Sequence, residues 1–155
     1  MTASQGLIIF PHQLFRDHPG LIEDLDRVVL IEDGLFFGDH RHPVTFHKQK
    51  LWMHRASMKR YESTLKASGV KVEYLDHQPG EDMTRRGIER LASHGVDEVL
   101  AADPHDDLLG RRLARHAGEA EVTLTVLDSP MFLNTPEINR RYRETKKRWF
   151  MADFY

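Results

Sequence analysis

Polar side chains able to bind a ligand gather just after three short apolar runs. Pro11-His12-Gln13 follows the first, Glu32-Asp33 the second and Asp103-Pro104-His105-Asp106-Asp107 the fourth. Imidazole, amide and carboxylate groups placed in this way can hydrogen-bond a polar heterocycle. Each also has a plainer use. Asp103 or Asp106 suits the cap of a following helix, and His12 suits an ordinary loop. Glu32 is harder to set aside, because an acid at the end of a buried strand needs partners. Ten histidines raise the question of metal binding, most densely at Gly38-Asp39-His40-Arg41-His42, with His47 and His54 nearby. Their spacings match no standard zinc motif, which favours a solvated loop. His54 differs because it falls on the apolar stripe of a helix, where it is either a satisfied core histidine or a pocket-lining group.

Several chemistries are excluded or disfavoured. The chain has no Cys, so it has no disulfide, no thiolate zinc site, no Cys nucleophile and no Cys-held cluster. No G-x-G-x-x-G or G-x-x-x-x-G-K cradle follows a strand, which argues against a standard dinucleotide or P-loop site. No G-x-S-x-G elbow is present. A looser pocket for a nucleotide or a flat heterocycle stays open. One such reading is a stand-alone nucleotide-binding protein with an adenosine-type pocket at this edge.

The elements that must position these groups alternate along the chain. The apolar runs Leu7–Phe10, Val28–Ile31, Val70–Leu75, Glu98–Ala102 and Val122–Leu127 are continuous rather than alternating, as in parallel strands covered on both faces. Between them the spacing predicts a helix over Phe46–Ser68, with Leu51, His54, Met58, Tyr61 and Leu65 on one face. Further helices are predicted over Asp82–His94 and Asp106–Ala117, and from Thr135-Pro136-Glu137 into the 140s. Leu21, Ile22 and Leu25 suggest a short helix in the connection before Val28. The resulting β-α repeat predicts one α/β domain over residues 1–155. Its sheet is doubly wound, five-stranded, parallel and Rossmann-like, in the order 3-2-1-4-5, with helices on both faces. In such sheets ligands bind beyond the carboxyl ends of the strands where the order reverses. Here that notch lies between strands one and four, beside the polar turns that follow them.

With 155 residues, 40% hydrophobic and 30% charged, the chain has the composition of one folded domain. A net charge of −2 gives no overall attraction to nucleic acid or anionic membrane. No signal peptide is evident and no window approaches 18 apolar residues, so a cytoplasmic placement is expected. The last predicted helix carries Arg140, Arg141, Arg143, Lys146, Lys147 and Arg148, and Trp149–Tyr155 is rich in aromatics. Such a run suggests packing against a further domain or self-association.

Several segments resemble the cryptochrome/photolyase-related group that contains the bacterial (6-4) photolyases with an iron–sulfur cluster. They are Ile8-Ile9-Phe10-Pro11-His12-Gln13-Leu14, Val29-Leu30-Ile31-Glu32-Asp33, Phe46 to Lys59, Ser129-Pro130-Met131-Phe132-Leu133 and Phe150 to Tyr155. The resemblance implies an N-terminal domain that can hold an antenna chromophore, a ribityl-lumazine in the best-known branch. It implies that FAD, the iron–sulfur cluster and DNA contacts belong to a following helical domain absent from these residues. The chain alone is then expected to lack catalysis. Antenna contacts in the family map onto His12, Gln13, Ile31, Glu32, Asp33 and His54; Asp103 and His105 join the candidate set through the sheet edge. Two positions depart from the lumazine-binding branch: His12 stands where an acid is typical, and His54 where the helix is apolar.

Overall fold

A computed structural model describes residues 3–148 together with 150 and 152. Five parallel strands, β1 (Gln5–Ile9), β2 (Arg27–Ile31), β3 (Val72–Leu75), β4 (Glu98–Ala102) and β5 (Thr123–Leu127), form one sheet in the order β3-β2-β1-β4-β5. The doubly wound order expected from the sequence is the order observed. Leu7 lies beside both Val28 and Leu100, so the central strands share one level.

Both faces of the central strands are covered, which explains their unbroken apolar runs. Ile8, Val29, Ile31, Val99 and Ala101 face helices α3 (Met83–Ser93) and α4 (Asp107–Glu119). Leu7, Ile9, Val28, Leu30 and Leu100 face α2 (Lys48–Ala67) through Met58 and Leu65. Gly87 lets α3 come close. A Cβ there would lie 2.8 Å from Ile8 Cδ1 and 3.0 Å from Ile31 Cγ2.

Two local expectations are corrected. The Leu21, Ile22 and Leu25 segment is not helical. It holds only isolated turns, Leu21 N–H to His18 O at 3.0 Å and Leu25 N–H to Ile22 O at 3.3 Å. Pro19 cannot donate, and so short a segment cannot offset the cost of helix nucleation. Leu21 and Leu25 pack on the sheet face without a helix. Conversely, the loop after β2 holds a one-turn helix, α1 (Gly34–Phe37), started by Asp33. The last helix, α5 (Pro136–Thr145), forms as predicted but has no buried residue. Most of the aromatic run 149–155 lies outside the described residues. Among the described residues, no helix is long and apolar enough to cross a membrane.

The β1–β2 connection is pinned by His18. Its ring is buried, its Nδ1 accepts the Gly20 N–H at 3.1 Å, and burial lowers its pKa from 6.5 to about 4. An unfolded chain therefore binds a proton here that the folded chain refuses. Stability should be fully present above about pH 6.5 and fall as pH drops towards 4, by on the order of 2–3 kcal/mol. Unfolding midpoints measured across this window should show the slope. His18→Asn, whose amide oxygen can still accept the Gly20 N–H, should flatten it. An unchanged slope would place the titration elsewhere.

Candidate functional site

The turn after β1 is tied directly to the end of β4. Gln13 is fully buried, and its Nε2 donates to Ala102 O at 2.9 Å and Asp103 O at 3.3 Å. His12 sets its Nε2 3.1 Å from Pro104 O. Two polar atoms in this turn, His12 Nδ1 and Gln13 Oε1, are buried with no partner among the described residues. Burial is the main influence on His12 and lowers its pKa.

A wall of rings runs from this turn across the edge of the sheet. His12 stacks on Phe36 with centroids 4.9 Å apart and planes 16° apart. Phe36 meets the edge of His54 at 5.7 Å, and Phe37 lies 6.2 Å from His54 and 6.1 Å from His77. Helix α1 delivers both phenylalanines, and the Asp33 side chain caps it by accepting the Leu35 N–H at 3.0 Å. His54 is only partly buried, and burial, followed by the charge of Lys50 and by His12, lowers its pKa.

Glu32 points along a different line, towards α2 and β3. Its carboxylate is completely buried and accepts four hydrogen bonds. They come from Arg55 Nε at 2.6 Å, Arg55 Nη2 at 2.5 Å, Tyr74 OH at 2.6 Å and the His77 N–H at 2.9 Å. Burial pushes this carboxyl up, but the Arg55, His77 and Tyr74 donors outweigh it, and the net shift is downward. Asp33 turns to the other face, where Thr84 of α3 donates to it at 2.8 Å, and burial raises its pKa. Ile31 is wholly buried in the core beside α3.

At β4, Asp106 caps α4 by accepting the Leu109 N–H at 2.9 Å. Asp103 accepts the His105 N–H at 2.9 Å across a turn in which His105 adopts a φ of +49°. The His105 ring lies 4.3 Å from that of Phe132. Asp103, His105, Asp106, Asp107 and Arg111 line a shallow groove of about 380 Å³. Its three carboxylates make the start of α4 a poor seat for an anion, although a helix N-terminus otherwise favours one.

The structure thus brings His12, Gln13, Asp103 and His105 together at the β1–β4 junction and joins His54 to them through Phe36. Glu32, Asp33 and Ile31 share the edge but spend their side chains on the protein. Sequence reasoning missed Phe36, Phe37, Arg55, Tyr74 and His77. Leu35-Phe36-Phe37 directly after the polar end of β2 was the available signal. Asp39, read as part of a solvated histidine loop, is instead buried against Arg112 Nη1 at 2.6 Å. Among the described residues, no three His, Asp or Glu side chains converge as metal ligands.

Comparison with known proteins adds two findings. A family model described as deoxyribodipyrimidine photo-lyase-related protein matches residues 7–155. An uncharacterized protein of Acanthamoeba polyphaga mimivirus is 29% identical over 154 residues, which span 96% of this chain and 78% of that relative.

The geometry at Glu32 demands an atom set that only accepts. Glu32→Gln would turn an NH2 group towards existing donors and should cost about 2–4 kcal/mol in urea denaturation. Tyr74→Phe removes one donor and leaves three, so about 1 kcal/mol is expected. Equal losses in the two variants would show that packing, not donor convergence, governs the position.

Proposed function

The chain belongs to the deoxyribodipyrimidine photo-lyase-related protein family, and from that premise we propose that it is an antenna-type domain binding a flat, light-absorbing heterocycle at the carboxyl edge of β1 and β2. The observation that carries this reading is Gln13 Oε1, buried and without a partner among the described residues, at the reversal of strand order next to the ring wall. Buried polar groups are almost always satisfied, so an orphan at a ligand-binding position points to a missing partner. His12 and Gln13 would supply hydrogen bonds, and Phe36 and His54 ring faces and edges, to a molecule of the ribityl-lumazine kind. Such a chromophore, when bound, absorbs light and passes the excitation to a flavin. Within this reading FAD, an iron–sulfur cluster and DNA contacts belong to a helical partner domain. The relatives with such a cluster, the bacterial (6-4) group, are the finer assignment, and the setting is the cytoplasm.

The nucleotide alternative has less support. A nucleotide needs a place for its phosphates, and the helix start nearest the notch presents Asp103, Asp106 and Asp107. The strand ends lack a glycine cradle as well.

Absorbance and fluorescence titration of the purified chain with 6,7-dimethyl-8-ribityllumazine, riboflavin, FMN and a methenyl folate tests the proposal. At least one should bind with a shifted spectrum, and Phe36→Ala should weaken it about tenfold. Stabilisation in a thermal-shift assay by ATP or AMP, with no chromophore bound, would overturn it in favour of the nucleotide reading.

A further inference from the structure

The two orphaned atoms of the β1–β4 junction share one hydrogen-bonding character, and neighbouring groups fix it. Backbone carbonyl oxygens only accept. The Gln13 amide faces two of them, Ala102 O and Asp103 O, so its NH2 group must lie there. The orphan is therefore its oxygen, a pure acceptor. His12 faces Pro104 O through Nε2, so that nitrogen must carry the hydrogen. In a neutral ring the other nitrogen is then bare, and Nδ1, the orphan, accepts. Burial favours the neutral ring. Adjacent residues thus present two buried acceptors, and no donor among the described residues answers them.

We propose that the β1–β4 junction is a donor-reading site, in which Gln13 Oε1 and His12 Nδ1 select neutral ligands that present N–H or O–H groups and reject isosteres that lack them. The inference rests on the antenna-type reading for the location of the ligand, and it adds the ligand's chemistry. A heterocycle with an N–H edge, an amino group or a hydroxylated side chain meets the requirement. A carboxylate or phosphate does not, because it would set acceptor against acceptor near Asp103 and Asp106. The discrimination should be strong, since an analogue without the donor leaves buried polar atoms unpaired.

The test compares lumazine (pteridine-2,4-dione) with its 1,3-dimethyl derivative on the full chain. Methylation keeps the ring and removes both N–H donors. Lumazine should bind at least tenfold more tightly. In His12→Phe, which keeps a ring against Phe36 but has no nitrogen, the ratio should fall below about threefold. Should that variant fail to fold, nitrogen-15 NMR of the wild-type histidine ring answers the same question: His12 should be neutral at pH 7, with its hydrogen on Nε2. Equal affinity for the two compounds, or a hydrogen on Nδ1, overturns the donor-reading site even where chromophores bind. Binding of neither compound overturns it as well, whereas the antenna reading falls only where riboflavin, FMN and the methenyl folate also fail to bind.

Discussion

Covering a parallel sheet on both faces leaves its polar groups little access to water, so each one at the carboxyl edge must find a partner in the protein or in a ligand. That constraint organises this molecule. Three acids follow β2 within a few residues, and each reaches a different element. Glu32 gathers Arg55 from α2, Tyr74 from β3 and the His77 N–H beyond it. Asp33 starts α1 and takes a hydrogen bond from Thr84 on α3. Asp39 accepts the Arg41 and His42 N–H groups, each at 2.9 Å, and pairs with buried Arg112 on α4. The segment between β2 and α2 is thereby held at three points, and the ring wall stands on it.

This arrangement separates structural polar groups from those free to recognise something. Glu32 is the most conspicuous acid of the edge, yet its lone pairs are engaged by four donors. Removing it from the list of ligand contacts does not make it irrelevant to the site. Arg55 sits with its guanidinium carbon 5.5 Å from the centre of the Phe37 ring, so the ion pair also orients part of the wall. Gln13 shows the opposite balance. Its NH2 group joins β1 to β4, while its oxygen has no partner among the described residues.

The sheet was legible because its strands are short, continuous apolar runs separated by periodic helices, and parallel topology leaves few alternatives. The notch followed from that order without any knowledge of side-chain direction. Direction is what the sequence could not show. Glu32 and Asp33 are neighbours, but alternation along the chain sends them to opposite faces, and only tertiary contacts decide which face holds a ligand. The spacing of three between Leu109 and Arg112 places that arginine on the buried face of α4, where it meets Asp39. The ring wall was harder to foresee. It depends on a single helical turn whose formation rests on the Asp33 cap rather than on any periodic pattern. The missing helix before β2 failed for the converse reason, since three apolar residues alone do not specify helix when the sheet can take Leu21 and Leu25 from a loop and leave Ile22 exposed.

His12 makes physical sense within the same constraint. A carboxylate at this position would supply an acceptor together with a charge. A neutral imidazole held with its hydrogen on Nε2 supplies an acceptor too, through Nδ1, but without a charge. Burial beside Phe10 and Phe36 would penalise a carboxylate there, and it lowers the pKa of His12. An imidazole in place of a carboxylate therefore changes the electrostatics of the junction more than its hydrogen-bonding sense. A ligand that relied on the carboxylate's charge would be lost, whereas one that relied on donating an N–H or O–H would be kept. Charge at this junction is left to Asp103 and Asp106 on the β4 side, which again favours a donor and opposes an anion.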